Sequence, residues 1–259
     1  AAPDKSLGDF ILEREGQTLA GPLWARPYVE KVAYIVMKVA RAVHEAHVKG
    51  LIHRDIAPKN IMLKSDGEPV LLDFGLATLI RDHETQASRR TIAGTLPYMA
   101  PEQLEGGPQA LQPSVDIYGL GATLYHLATL RCPFVGSPAE VVFQVANELP
   151  AAPRSIQGDI PRDLEAICMK ALEKRWGARF ATAGELADEL QAFLERRPIA
   201  TRPPGVFGRL KRWCQRRPAR AAVAALLVVT TAIGSRLGWD AWNSHQASVQ
   251  LMVEQSFVD

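Results

Sequence analysis

Hydrophobic residues between positions 28 and 48 recur at intervals of three and four, which is the spacing of one face of an α-helix. Gly50 follows this stripe, and glycine commonly stands where a helix ends. The pattern predicts an amphipathic helix over residues 28–48. The apolar positions of its buried face are Val29, Val32, Ile35, Val36, Val39, Ala40 and Val43.

Two short apolar runs come next in the chain, at residues 61–63 and 70–72. The six residues between them include Asp66-Gly67, a step that favours a tight reversal. These runs predict a small β-hairpin. Residues 76–112 have no sustained periodicity and are rich in Thr, Arg, Gly and Pro, so they predict a long loop, ordered or able to switch between conformations.

Helical patterns dominate the chain after Pro113. They predict four helices, at about residues 114–130, 138–147, 162–173 and 182–196, the last of which ends before Pro198. With 47% hydrophobic and 22% charged residues, a chain of 259 residues can bury a sizeable core, which excludes disorder throughout. The sequence predicts one mainly α-helical domain followed by a shorter part.

Residues 198–220 differ in composition from the domain before them, with four prolines and seven arginine or lysine residues but no acidic residue. They predict a basic juxtamembrane linker. Residues 221–235 carry no charge, and a helix continued to Trp239 would hold about 20 residues, roughly the 30 Å of a bilayer core. We therefore predict a transmembrane helix over 221–239, with a buried or interfacial helix as the alternative.

The charge distribution gives an orientation to that predicted span. The basic excess lies on its amino-terminal side, which predicts that the globular domain is cytoplasmic and that residues 240–259 begin an extracytoplasmic region. The net charge of +2 gives no argument for a nucleic-acid partner. Three widely spaced cysteines without metal-ligand spacing suit a reducing compartment. The first twenty residues carry too many charges for a signal peptide.

Three ordered motifs carry the candidate chemistry. They are His53-Arg54-Asp55-Ile56-Ala57-Pro58-Lys59-Asn60, then Asp73-Phe74-Gly75 after the predicted hairpin, then Ala100-Pro101-Glu102. Phosphoryl transfer needs a carboxylate that orients and deprotonates the attacking hydroxyl, and oxygen ligands that hold Mg²⁺ on the phosphates. The first two motifs supply both. The hairpin between them would bring Asp55 and Asp73 together at the mouth of one active site.

In these motifs the sequence resembles the eukaryotic-type serine/threonine protein kinases of the bacterial membrane-anchored type, over residues 1–197. The resemblance implies the helical carboxyl-terminal lobe of that fold, with ATP and Mg²⁺ as cofactors and proteins as substrates; it leaves a homodimer open. Asp55 would be the catalytic base, and Asn60 and Asp73 would hold the metal. His53 and Arg54 would support the loop.

Further residues match the family pattern. Thr95, in Gly94-Thr95-Leu96-Pro97-Tyr98-Met99, would lie in the substrate-docking segment and select serine or threonine. Asp116 would hold the backbone of the His-Arg-Asp motif, with a helix cap as the plainer interpretation. Arg179 would form a buried ion pair with Glu102. Arg54 could bind a phosphate on the activation loop, for which the candidates are Thr85, Ser88 and Thr91.

Two departures from the pattern favour reduced activity. The family lysine two residues after the catalytic aspartate is replaced by Ala57, and we hypothesise that Lys59 reaches the same phosphate instead. The sequence also contains no Gly-rich phosphate cover and no strand lysine, the marks of an amino-terminal kinase lobe. We expect this chain alone to be almost inactive and the intact protein to be active. The alternative is a degenerate kinase-like module that only binds partners.

Overall fold

The computed structural model describes residues 5–6, 26–73 and 95–201, together with 230–231, 234–236 and 239 near the carboxyl terminus. The chain divides into two compact units, Ala1–Gly205 and Val206–Asp259. The elements below all belong to the first unit.

Helix α1, Tyr28–Val48, confirms the first prediction from the sequence. Six of the seven residues of the predicted stripe are buried, and Val32, Ile35, Val36 and Val43 have no solvent-accessible surface; Val29 is half-buried. This face packs against helices α3 (Ser114–Thr129) and α7 (Ala183–Leu194), which come from distant parts of the chain. Burial of each branched aliphatic side chain contributes about 1.5–3 kcal/mol to the free energy of folding, so the stripe is a main source of the stability of the domain.

The predicted hairpin is present as strands β2, Ile61–Leu63, and β3, Pro69–Leu71, with Met62 opposite Val70. Gly67 provides the positive φ of 87° that the reversal requires. A third strand, β1 at Lys5–Ser6, pairs antiparallel with β2 and gives the order β1-β2-β3. Strand β1 was not predicted from the sequence, because two residues are too few to display a hydrophobic period.

The remaining helices follow the predictions closely. The four predicted after Pro113 are confirmed with ends within two residues, as α3, α4 at Pro138–Asn147, α6 at Arg162–Ala171, and α7. The described part also contains helix α5, Pro153–Ile156, and 3₁₀ turns at Pro58–Asn60 and Trp176–Ala178.

The loop predicted over residues 76–112 is wrong in its described part. Helix α2, Pro101–Glu105, and 3₁₀ turns at Leu96–Tyr98 and Pro108–Leu111 occur there. These elements are too short to show a hydrophobic period in the sequence.

Helix α3 is the centre of the domain and is buried on almost every side. It contains Gly121, where an added Cβ atom would lie 2.6 Å from the Cβ of Ala171 in α6. The missing side chain therefore allows these two helices to approach closely. A smaller apolar cluster of Leu96, Phe134, Val141 and Val145 packs α4 against the 3₁₀ turn Leu96–Tyr98.

The predicted linker and span lie almost entirely outside the described residues. Within 221–239 the structure describes only residues 230–231, 234–236 and 239, and all of them are helical. None of the helices in the described ranges combines the length and the apolar character needed to cross a membrane.

Candidate functional site

Residues 53–60 form the loop that contains Asp55, here called the Asp55 loop. Part of its backbone has an unusual conformation that helix α3 stabilises. Arg54 has a φ of 68°, in the left-handed region that side chains disfavour by roughly 1–2 kcal/mol. The Asp116 carboxylate at the start of α3 accepts the backbone N–H groups of His53, at 2.8 Å, and Arg54, at 2.7 Å. These two charge-assisted bonds stabilise the strained conformation. The predicted contact between Asp116 and this backbone is therefore present.

A histidine from α1 completes the surroundings of that carboxylate. His47 Nε2 lies 2.7 Å from Asp116 Oδ2, and both side chains are buried. Since a carboxylate accepts, Nε2 is the donor. Nothing in the local sequence around His47 indicates this partner, which lies 69 residues away.

His53 connects the Asp55 loop to the strand end that precedes Asp73. Its Nε2 donates to the Leu72 carbonyl at 2.7 Å, and its Nδ1 accepts the Asp55 backbone N–H at 3.3 Å. The Leu72 N–H in turn donates to the Asn60 carbonyl at 2.8 Å. Together these bonds fix the backbone next to Asp73 against the Asp55 loop. Asp73 itself is exposed and has a φ of 59°.

The Asp55 side chain has one occupied oxygen and one unoccupied oxygen. Its Oδ2 accepts from Asn60 Nδ2 at 2.9 Å and lies 3.4 Å from Lys59 Nζ. The same Asn60 nitrogen donates to the Asp55 carbonyl at 2.6 Å. Oδ1 is shielded from solvent and has no hydrogen-bond partner in the described part of the chain. The carboxylate is thus oriented by its neighbours while one acceptor stays available.

Lys59 also reaches the segment that follows the undescribed stretch. Its Nζ donates to Thr95 Oγ1 at 2.6 Å, so one ammonium group contacts both Thr95 and Asp55. Farther along the segment, the Tyr98 hydroxyl donates to His126 Nδ1 in α3, and burial lowers the pKa of His126. A neutral imidazole is the form that can accept this bond. Thr95 is thereby fixed from the loop side and Tyr98 from the α3 side.

Close packing brings α3 against the Asp55 loop. An added Cβ atom at Gly119 would lie 3.0 Å from both the Cβ and the carbonyl oxygen of Ile56, the residue after Asp55. Ile56 and Ala57 are both buried. Any side chain larger than hydrogen at position 119 would displace the loop.

The predicted ion pair between Glu102 and Arg179 is confirmed. The two guanidinium nitrogens contact the two carboxylate oxygens, Nη2 to Oε2 at 2.8 Å, and both side chains are buried. Arg179 also donates to the carbonyl oxygens of Glu173, Lys174 and Ser114, which satisfies the rest of the guanidinium. This pair joins helix α2 to the segment before α7.

Several predicted residues lie outside the described part of the chain. They are Phe74 and Gly75, and the three candidate phosphorylation sites Thr85, Ser88 and Thr91. The structure therefore brings together Asp55, Lys59, Asn60 and Thr95, and holds Asp73 next to them through the Leu72 backbone.

A family model described as the protein kinase domain matches residues 25–191, more than half of the chain. The chain belongs to the protein kinase family. This confirms the resemblance on which the site residues were chosen. The match also covers every element from α1 to most of α7.

Curated relatives of this kinase chain come from several bacteria. The serine/threonine-protein kinase PknB of Mycobacterium leprae is 34% identical over 171 residues, 66% of this chain and 26% of the relative. A probable serine/threonine-protein kinase of Streptomyces coelicolor is 34% identical over 172 residues, 66% of this chain and 25% of its own. One of Clostridium perfringens is 36% identical over 188 residues, 72% of this chain and 26% of its own. The chain spans about a quarter of the length of these relatives.

The side chains present fit the magnesium ion that the family uses. Mg²⁺ prefers oxygen ligands and binds through one or two protein groups plus phosphates. The amide nitrogen of Asn60 is engaged by Asp55, whereas its amide oxygen accepts no bond from any described residue. Asp73 offers an exposed carboxylate. The donor set is therefore suitable for a hard divalent cation.

Proposed function

We propose that this chain carries the catalytic loop of a serine/threonine protein kinase, which transfers the γ-phosphate of ATP to hydroxyl groups of protein substrates. The observation that carries the proposal is the state of the Asp55 carboxylate. One oxygen is held by Asn60 and Lys59, and the other is a dry acceptor without a partner among the described residues. A hydroxyl that approached Oδ1 would satisfy it and would be oriented and deprotonated for attack.

The neighbours of Asp55 have separate tasks in this mechanism. Lys59, at 3.4 Å from Asp55, places a positive charge where negative charge gathers on the transferring phosphate, which is the task of the family lysine that Ala57 replaces. Asn60 and Asp73 would hold Mg²⁺, which when bound neutralises phosphate charge and orients the nucleotide. Asn60 also orients Asp55 directly through two hydrogen bonds.

The choice of serine and threonine rests on Thr95 and on the relatives. The hydroxyl of Thr95 is fixed by Lys59 beside the base, where the family's serine/threonine kinases have a threonine. The relatives compared above are named as serine/threonine kinases. A phosphate on Thr85, Ser88 or Thr91 would bind Arg54 and order the activation loop, which is our proposal for its control.

Membrane attachment is the remaining part of the proposal. The uncharged run at residues 221–235 and the basic residues before it support a single span over 221–239 with the kinase lobe on the cytoplasmic side. The helical state of residues 230–231, 234–236 and 239 is compatible with it. Cells fractionated and treated with protease from either side test this. Recovery of the native protein in the soluble fraction would contradict the span.

Metal binding and phosphate transfer test the proposed chemistry separately. The 259-residue chain should bind Mn²⁺, used as a probe for Mg²⁺, and Asp73→Asn should weaken that binding at least tenfold, because it removes the charged ligand. Transfer by the chain alone should be negligible, since its sequence lacks a Gly-rich phosphate cover and a strand lysine. The native gene product should transfer phosphate to serine and threonine. Metal binding unaffected by Asp73→Asn, with no transfer by the native protein, would instead favour a binding module.

A further inference from the structure

Gln103, in helix α2, makes two hydrogen bonds that join α2 to the Asp55 loop. Its Nε2 donates to the backbone carbonyl of Arg54 at 2.9 Å, and its Oε1 accepts the backbone N–H of Ala100 at 2.9 Å. The second bond satisfies one of the N–H groups that are left without partners at the start of every helix. The first bond spans 49 residues of sequence and ends on the residue before Asp55.

The bond from Gln103 to the Arg54 carbonyl acts on the peptide unit next to Asp55. The Arg54 carbonyl belongs to the peptide unit that carries the Asp55 N–H, so a bond to it restricts the rotation that would turn Asp55. On the other side, the Arg54 N–H is held by Asp116 at 2.7 Å. Arg54 is therefore fixed at both of its backbone polar groups, as its φ of 68° requires. Asp116 fixes it from α3, and Gln103 fixes it from α2.

Gln103 also connects two parts of the site. Helix α2 directly follows the Thr95–Met99 segment, and its Glu102 is locked in the buried pair with Arg179. Lys59 joins Thr95 to Asp55 by side chains alone. Gln103 adds a second connection, from helix α2 to the backbone carbonyl of Arg54. The contacts of Lys59 and of Gln103 therefore fix the position of the Thr95–Met99 segment and helix α2 relative to Asp55 in two separate ways.

We propose that Gln103 is a positioning residue of the kinase reaction, which holds the Arg54–Asp55 peptide unit in the orientation that catalysis needs and couples it to α2. This inference rests on the proposed role of Asp55 as the base. It assigns Gln103 no contact with substrate. Its effect passes through the backbone of Arg54.

The two bonds of Gln103 can be separated by one conservative substitution. Gln103→Glu keeps an oxygen that accepts the Ala100 N–H, so the cap of α2 remains. It replaces the donor with an oxygen that faces the Arg54 carbonyl, and that contact becomes repulsive. Gln144→Glu is the matched control. Gln144 is a helical glutamine of α4 whose Nε2 donates to a loop carbonyl, that of Val135, at 3.3 Å and away from the Asp55 loop.

Hydrogen exchange of the full 259-residue chain, followed by mass spectrometry, tests the anchoring without any need for activity. In Gln103→Glu, amides of the peptide covering residues 53–60 should exchange at least about tenfold faster, whereas Gln144→Glu should leave this peptide unchanged. Peptides of α1 and α7 should exchange at wild-type rates in both variants. Unchanged exchange at residues 53–60 in Gln103→Glu would overturn the proposal.

Steady-state kinetics of the native gene product tests the consequence for catalysis. Gln103→Glu should lower kcat about tenfold or more with the KM for ATP unchanged, because a misplaced base slows the chemical step without affecting nucleotide binding. Combined with Asp55→Asn, it should cause no further loss, since it acts through Asp55. Faster exchange with an unchanged kcat would refute the positioning role. Absence of transfer by the wild-type protein would refute the function proposed for Asp55, while the exchange result would still decide whether Gln103 anchors the loop.

Discussion

The Lys59 ammonium donates a 2.6 Å hydrogen bond to the Thr95 hydroxyl while lying 3.4 Å from the Asp55 carboxylate. In the proposed mechanism this ammonium supplies the positive charge that Ala57 cannot provide. We predict that Lys59→Ala lowers kcat of the native protein by about 100-fold, and that Lys59→Arg retains more activity because it keeps the charge. Initial rates of phosphate transfer measure this.

The exposed Lys64 in the hairpin turn is the control for Lys59. Lys64→Ala should leave kcat at the wild-type value. If Lys59→Ala and Lys64→Ala had equal turnover, phosphate transfer would not need the Lys59 ammonium. The role proposed for Lys59 would then be wrong.

Asp116 should be among the most sensitive positions for stability. The two carboxylate oxygens of Asp116 together accept the backbone N–H groups of His53 and Arg54 and the His47 ring, and Asp116→Asn replaces one of these oxygens with an amide nitrogen that can only donate. We predict a loss of about 2–4 kcal/mol in the free energy of unfolding, measured by urea denaturation. Asp188→Asn, which removes a solvent-exposed partner of Arg41, should cost less than about 1 kcal/mol. Similar losses in the two variants would show that the Asp116 carboxylate contributes no more to stability than the exposed Asp188.

The buried pair of Glu102 and Arg179 gives a second stability prediction. Glu102→Gln leaves the guanidinium charge buried without a counter-ion, which should cost about 3 kcal/mol or more. Glu195→Gln, in an exposed pair with Arg197, should leave the unfolding midpoint in urea unchanged. A Glu102→Gln midpoint equal to that of the wild type would show that the pair contributes nothing.

Lys174 predicts a pH dependence of stability. Its ammonium donates to the Val145 carbonyl at 2.6 Å and lies above the Phe134 ring, and burial, with a smaller effect of the Arg179 charge, lowers its pKa to about 7. Glu148 and Glu173 oppose this shift. Between that value and the ordinary 10.5 the unfolded chain binds more protons than the folded one. Stability from this group therefore rises as the pH rises above about 7.

Lys174→Met should remove that rise. Between pH 7 and 8.5 the free energy of unfolding of the wild type should increase by about 1–2 kcal/mol relative to the variant, measured by urea denaturation at each pH. The range stops below pH 9 because burial raises the pKa of the Cys168 thiol, which has the opposite effect on stability at higher pH. Parallel curves for the two proteins would refute the prediction.

The sequence was sufficient for the parts of the fold that have a local pattern. The stripe of α1 was predicted because burial imposes a spacing of 3.6 residues on it, and the hairpin because two short apolar runs flank the Asp66-Gly67 step. The contacts of Asp116 and the pair of Glu102 with Arg179 followed from the family resemblance. His47 and Gln103 were not predicted, since their partners lie 69 and 49 residues away and a lone histidine or glutamine has no distinctive local pattern.

The central claim is that Asp55 is the base of a protein kinase. Its most direct test is Mg²⁺-dependent transfer of labelled γ-phosphate from ATP to a protein rich in serine and threonine, by the native gene product and its Asp55→Asn variant. We predict label on serine and threonine with the wild type and at least about a 100-fold lower rate with the variant. Equal rates in the two proteins, or no transfer by the wild type, would contradict it.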